Sequence, residues 1–145
     1  MFKKSLSNLF LLFTLVLQSQ IQSPKEYLGY SLGTKFSRHH QVVDYFKYLE
    51  NGSEALQLQS YGKTNEGRLL QLAFISSPEN LKNLESIRKT HLQNSGIEKG
   101  PLNNEKAIVW LSYNVHGNES SSTEAAMKTA HALLTKYSNW LKETI

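Results

Sequence analysis

His116 and Glu119 lie three residues apart, directly after the run AIVWLSYNV (residues 107–115). Imidazole nitrogen and carboxylate oxygen both bind zinc at roughly 2.0–2.2 Å, and a catalytic zinc typically has three protein ligands and a water. We expect Gly117, between them, to let the backbone turn tightly so that the two side chains converge on one point. The spacing therefore makes His116 and Glu119 candidate metal ligands.

Two simpler roles are open for this pair. His116 could be a half-buried histidine with satisfied hydrogen bonds, and Glu119 could complement the positive N-terminus of the helix that follows. The spacing is weak evidence by itself, because the chain has five histidines and twelve acidic residues. Its position favours a metal site, since ligands collect beyond the carboxyl ends of the strands in open α/β sheets.

The elements on either side must hold the pair in place. Residues 107–115 are mostly apolar or aromatic, which predicts a strand covered on both faces inside a sheet. A helix is predicted from about Ser121 to Tyr137, with Ser121 and Glu124 forming a capping box. The residues at helical spacing that should face the core are Ala126, Ala130, Leu133 and Tyr137.

Two more helices are predicted in the first part of the chain. Residues 37–50 carry apolar side chains at helical spacing, with Ser37 placed as the cap. Another helix begins near Pro78, with Ser76 and Glu79 as its capping box.

A hairpin is predicted between these helices. Residues 55–61 and 68–76 have strand patterns, and the turn residues 62–67 join them. Arg68, at the start of the second strand, is expected to stabilise the hairpin rather than bind substrate. The order helix, hairpin, helix, buried strand, helix predicts an α/β fold, a layered sheet with helices on its faces.

Residues 1–20 have the layout of a secretory signal peptide. Lys3 and Lys4 form a short basic region, residues 9–17 are almost entirely apolar, and small and polar residues follow. The apolar stretch is too short to span a bilayer stably, so no membrane span is expected once the leader is removed. A buried N-terminal helix is the alternative, and export to the periplasm or the medium is the prediction.

Charge and cysteine content narrow the classes of function. The formal charge of +4 becomes +2 without the two lysines of the leader, from 14 basic and 12 acidic side chains. This balance gives little reason to expect a nucleic acid partner. The chain has no cysteine, which excludes disulfides, thiolate metal sites and a cysteine nucleophile. A metal must therefore be bound by His, Asp and Glu.

The other histidines and the serine run are weaker candidates. His39 and His40 lie in the first turn of a predicted helix, and neither His91 nor His131 has a carboxylate three or four residues away in a turn. Ser120–Ser122 lack the Gly-x-Ser-x-Gly elbow of a nucleophile. We assign the serines to helix capping.

Two motifs together resemble the N-terminal part of the catalytic domain of the zinc carboxypeptidases, the metallocarboxypeptidase family. Members typically have a Gly-x-Ser/Thr-x-Glu-Gly-Arg turn between two strands, matched here by Gly62, Thr64, Glu66, Gly67 and Arg68. A later strand ends in His-x-x-Glu, matched by His116 and Glu119. The resemblance covers residues 28–138, and residues 28–49 look like the entry helix of exported bacterial members.

The resemblance implies a three-layer α/β/α mixed-sheet fold, of which only the N-terminal part is present. It also implies one zinc ion (Zn2+) held by a histidine, a glutamate and a second histidine, with His116 and Glu119 as two of these ligands. A zinc-activated water would hydrolyse C-terminal peptide bonds, with a separate glutamate as general base. Arginines would hold the free C-terminus of the peptide or protein substrate.

The second histidine, the general base and the arginines are expected beyond Ile145, by the same resemblance. Residues 21–145 are therefore predicted to be the N-terminal portion of the domain, with no catalytic residue of their own and no activity alone. The exposed sheet edge of such a portion would favour aggregation.

Asn118 leaves the substrate open. Digestive-type carboxypeptidases commonly have arginine at this place, whereas His-Gly-Asn-Glu also occurs in the related acylases, zinc amidohydrolases that act on N-acyl amino acids. The Glu-Gly-Arg hairpin and the leader favour the peptidase. A non-catalytic exported domain on the same scaffold is the third alternative.

Overall fold

The computed structural model describes residues 21–103 and 106–144. The predicted signal peptide, residues 1–20, lies outside this part. Two strands are present in it, β1 (Leu56–Lys63) and β2 (Leu69–Ile75). The helices are α1 (Pro24–Leu28), α2 (His39–Gly52), α3 (Pro78–Lys82), α4 (Leu84–Asn94), α5 (Ser120–Leu134) and α6 (Ser138–Thr144). None of the helices in these two ranges is long and apolar enough to cross a bilayer.

The predicted hairpin is confirmed. Strands β1 and β2 pair antiparallel, with a bulge between Ser60 and Gly62. The turn closes through backbone hydrogen bonds from Thr64 N to Arg68 O, 2.8 Å, and from Gly67 N to Thr64 O, 2.9 Å. Gly67 has a φ of +80°, a left-handed conformation that glycine adopts without steric cost.

The core lies between α2, α5 and the start of β1. Its buried side chains are Tyr45, Leu49, Leu56, Met127, Ala130 and Leu134. Of the stripe predicted for the last helix only Ala130 is buried, and Met127 and Leu134 are buried in place of Ala126 and Leu133. The inward face of α5 is turned by one residue because Met127 removes more apolar surface from water than Ala126 does.

Residues 21–37, which we call the N-terminal strap, pack against α2 and α5. The rings of Tyr27, Tyr45 and Tyr48 lie against one another, with centroids 5.0–6.0 Å apart. The Tyr45 hydroxyl donates to the carbonyl oxygen of Gln22, and the Gln22 N–H donates to the Tyr48 hydroxyl, both at 2.8 Å. These contacts make the strap part of the folded core.

Glu124 joins the strap to α5. Its carboxylate accepts hydrogen bonds from Gly33 N at 2.5 Å and from Ser37 Oγ at 2.8 Å. The Ser37 hydroxyl also pairs with the Tyr30 hydroxyl at 2.8 Å. A buried carboxylate needs such partners, since an uncompensated one is costly. The predicted capping box of Ser121 and Glu124 is therefore wrong, because the strap occupies the carboxylate.

The other predicted caps are displaced. Helix α2 begins after Arg38 and not at Ser37, whose hydroxyl is already bonded to α5. Ser77, rather than Ser76, caps α3 by accepting a hydrogen bond from a backbone N–H. The single helix predicted there is two, because Asn83 between α3 and α4 has a non-helical conformation, φ −112° and ψ 18°.

Residues 107–115 have no regular secondary structure, and the prediction of a buried strand there is wrong. Their large apolar side chains are exposed, Trp110 by 72% and Val115 by 70%. A buried strand needs neighbouring strands and a layer on each face. The sheet of the described residues consists of β1 and β2, which pair only with each other. Helices with a small antiparallel sheet fit the α/β class.

Candidate metal centre

The two candidate ligands lie in a tight turn directly in front of α5. The backbone N–H of Glu119 donates to the carbonyl oxygen of His116 at 3.1 Å, which closes the turn. His116 Nδ1 lies 3.1 Å from Glu119 Oε1. The structure thus brings together the two side chains that the sequence spacing singled out.

This separation of donor atoms suits two ligands of one zinc ion. Two atoms bound to a tetrahedral zinc at the usual distances lie roughly 3.3 Å apart, so a small outward movement of either side chain admits the ion. As it stands, the 3.1 Å contact is a hydrogen bond in which Nδ1–H donates to the carboxylate. Metal binding requires Nδ1 to release that proton. A neutral imidazole nitrogen and a carboxylate oxygen then form a donor set that zinc accepts.

The structure also bears on the two simpler roles. The His116 side chain is 71% exposed, so a half-buried histidine is the wrong description. Glu119 is the N-cap residue of α5, yet its side chain makes no capping hydrogen bond. The carboxylate contacts the imidazole instead and is available to a ligand from the solvent side, since the Glu119 side chain is 51% exposed.

Asn114, which the sequence analysis did not single out, bends the chain in front of the turn. Its φ of +60° makes it the non-glycine residue with left-handed backbone among those described, and asparagine tolerates this conformation better than most residues. Its Oδ1 accepts a hydrogen bond from Thr123 Oγ1 at 2.8 Å. Gly117 lies in the turn between His116 and Glu119, as predicted, but it does not have a positive φ. The tolerance of asparagine was the one signal that could have indicated Asn114.

A third metal ligand does not come from the residues that the structure describes. Within residues 21–103 and 106–144, no group of three or more His, Asp or Glu side chains could hold a metal ion. His39 and His40 are exposed at the start of α2. The ring of His91 contacts the carbonyl oxygen of Lys106 at 2.7 Å, and that of His131 contacts a backbone carbonyl in the strap at 3.4 Å.

The glycine-rich hairpin motif has a structural role. Arg68 Nη2 lies 2.7 Å from Glu66 Oε2, and both side chains are largely exposed. The Arg68 N–H donates to Thr64 Oγ1 at 3.1 Å. These contacts hold the turn, as the sequence analysis expected of Arg68.

A cleft of about 590 Å³ lies between residues 32–36 of the strap and the first turns of α5. Helix α5 begins directly after Glu119 in the sequence. Ser120 and Ser121 line it, but His116 and Glu119 do not. The cleft and the candidate metal centre are therefore distinct features of the α5 N-terminal region.

A comparison with models of protein families shows the family of this chain. The family model for zinc carboxypeptidases matches residues 42–144. The chain belongs to the zinc carboxypeptidase family. The comparisons with curated proteins and with solved structures gave no match. The matched range holds both the hairpin motif and the His116–Glu119 pair, and family membership supports a zinc-dependent hydrolase. The strap lies outside the match.

Proposed function

We propose that this polypeptide supplies two zinc ligands, His116 Nδ1 and the Glu119 carboxylate, to a zinc carboxypeptidase that hydrolyses C-terminal peptide bonds. The observation that supports the proposal is the 3.1 Å contact between these two donor atoms, in a turn inside the family match at residues 42–144. Both side chains face solvent, so a metal and a peptide can reach them.

The two residues have different tasks in this proposal. Glu119 contributes negative charge, which offsets part of the charge of a divalent cation. His116 contributes a neutral nitrogen once Nδ1 has released its proton, and the turn holds it against Glu119. When bound, zinc supplies a Lewis acid that polarises a carbonyl and lowers the pKa of a coordinated water toward about 7.

The proposal needs a third ligand and a general base from outside the described residues. Two protein ligands hold zinc weakly compared with the three of a typical catalytic site. The 145-residue polypeptide alone is therefore expected to bind zinc weakly and to be inactive. The sequence pattern of residues 1–20, a basic region followed by an apolar stretch, supports export to the periplasm or the medium as part of the same proposal.

Zinc affinity tests the ligand assignment directly. Competition with a weak chromophoric chelator would be measured for the wild-type chain and for His116→Ala and Glu119→Gln. We expect each substitution to lower the affinity by about tenfold or more, because each removes one of two ligands. His39→Ala is the matched control, since His39 is an exposed histidine away from the turn. Undiminished zinc binding by His116→Ala would refute the assignment.

The substrate class is tested on a protein that carries the remaining ligand and the general base. A peptidase releases the last residue of a blocked peptide with a free C-terminus and fails on the same peptide with an amidated C-terminus. An N-acyl amino acid tests the acylase alternative that Asn118 leaves open. Hydrolysis of the N-acyl amino acid with no release from the peptide would contradict the carboxypeptidase proposal.

A further inference from the structure

We propose that Asn114 and Thr123 are positioning residues for the metal pair. The inference rests on the proposed function, since it concerns how the chain holds His116 and Glu119 in a shape that binds zinc. Neither residue contacts the reacting atoms in this proposal. The contact that carries it is the hydrogen bond from Thr123 Oγ1 to Asn114 Oδ1 at 2.8 Å.

This hydrogen bond and the metal pair are nested in the sequence. The inner contact joins His116 and Glu119, and the outer contact joins Asn114 and Thr123. The outer contact therefore closes a loop around the turn that carries both ligands. Thr123 lies four residues after Glu119, about one helical turn further along α5, so the two contacts lie on neighbouring levels of the same helix.

The backbone of Asn114 makes the bend that the outer contact fixes. Its φ of +60° costs energy for most L residues, and the hydrogen bond to Thr123 helps to hold it. The neighbouring Tyr113 hydroxyl donates to Thr129 Oγ1 at 2.9 Å, which attaches the preceding residue to α5 as well. The chain is thus fixed to α5 on the N-terminal side of His116.

His116 depends on this attachment because little else contacts it. Its side chain is 71% exposed, and the preceding Val115 is 70% exposed. Packing therefore does not determine where the imidazole lies, and the backbone on either side must do so. Partners that orient metal ligands from the second layer typically change metal affinity by about 10–100-fold when they are removed.

The test uses substitutions that remove the Thr123 hydroxyl or the Asn114 amide and leave the backbone conformation accessible. Thr123→Val removes the donor and keeps the shape, whereas Thr123→Ser keeps the donor. Asn114→Gly removes the acceptor and keeps the tolerance for positive φ. Thr135→Val is the matched control, because the Thr135 hydroxyl donates to the carbonyl oxygen of His131 at the other end of α5.

Two readouts are taken on the full 145-residue chain. The first needs no metal: the 15N and 1H resonances of the His116 ring report its hydrogen bond to Glu119, and the amide-to-Hα coupling of Asn114 reports φ. The second is zinc affinity by chelator competition. We expect Thr123→Val and Asn114→Gly each to weaken the ring hydrogen bond and to lower zinc affinity about tenfold. Thr123→Ser should restore wild-type values, and Thr135→Val should keep them.

The outcomes separate this inference from the proposed function. If Thr123→Val leaves both the metal-free ring resonances and the zinc affinity unchanged, the positioning role is overturned. An equal loss in Thr135→Val would overturn it too, because the effect would not be specific to the turn. If wild-type zinc binding does not involve His116 but Thr123→Val still perturbs the ring hydrogen bond, the proposed zinc site fails and the positioning of the pair is upheld.

Discussion

Replacing Glu124 measures how strongly the N-terminal strap is held to α5. Glu124 is 8% exposed, and its carboxylate accepts hydrogen bonds from Gly33 N and Ser37 Oγ. Hydrogen bonds to a charged group contribute about 1.5–3 kcal/mol each, and neutral ones about 0.5–1.5 kcal/mol. Glu124→Ala removes both and should lower the free energy of unfolding by about 3 kcal/mol. We take the lower limit because Gly33 is exposed, so water replaces part of the loss.

Glu124→Gln should have a smaller effect. The amide oxygen can accept from Gly33 N–H while the amide nitrogen donates to Ser37 Oγ, so two charged hydrogen bonds become neutral ones. The expected loss is about 1–2 kcal/mol. Glu54→Gln is the matched control, since Glu54 is exposed and such substitutions usually stay within about 0.5 kcal/mol.

Urea unfolding followed by far-ultraviolet circular dichroism gives the free energies, with the slope checked for constancy. Amide hydrogen exchange at Gly33 gives a local readout, because its N–H should lose protection in Glu124→Ala. The expected order of stability is wild type, Glu124→Gln, Glu124→Ala. If both variants remain within about 0.5 kcal/mol of the wild type, or Gly33 exchanges equally fast in all three, the strap is not held by this carboxylate.

Three further predictions concern other parts of the chain. Burial raises the pKa of Tyr45, so the stability that the neutral Tyr45 ring contributes is complete below about pH 10 and is lost as the pH rises further. In urea titrations, Tyr45→Phe should therefore lose less stability than the wild type at alkaline pH. At neutral pH its free energy of unfolding should be about 1 kcal/mol lower, because the hydrogen bond to Gln22 is lost. Gly117→Ala should leave the free energy of unfolding within about 0.5 kcal/mol of the wild type, because a methyl group there meets no atom within 4 Å. Gly67→Ala should lower it by about 1–2 kcal/mol, because Gly67 has a φ of +80°. Trp110→Lys should raise the soluble concentration and reduce light scattering without changing the urea midpoint, since Trp110 is 72% exposed in an apolar segment that favours association; unchanged scattering would contradict this.

Local patterns predicted those parts of the fold that local contacts form. The hairpin follows from strand patterns in two short segments and turn residues between them, and the hydrogen bonds that pair its strands and close its turn lie within that stretch. Residues 107–115 have the pattern of a buried strand, but burial depends on neighbours that the segment itself does not encode. The contact between Glu124 and Gly33 joins residues 91 positions apart, and no periodicity announces such a pair.

The same distinction applies to the candidate site. The convergence of His116 and Glu119 was predictable because three residues separate them and a turn suffices to bring them together. The turn at Gly117 between the two ligands was predictable too, whereas the bend at Asn114 in front of it was not. The bend at Asn114 depends on one φ angle and on a hydrogen bond to Thr123, and neither follows from the spacing of residues along the chain.

The central claim is that His116 and Glu119 together hold zinc, and the most direct measurement observes the His116 ring during a zinc titration. Long-range 1H–15N spectra of histidine-labelled protein distinguish the two nitrogens of each of the five histidines. We predict that zinc shifts His116 Nδ1 first, since this atom faces Glu119, and that the zinc-bound ring carries its proton on Nε2. In Glu119→Gln the same shift should require more zinc. If another histidine responds first, or if His116 does not respond at all, the two residues are not the zinc ligands of this chain.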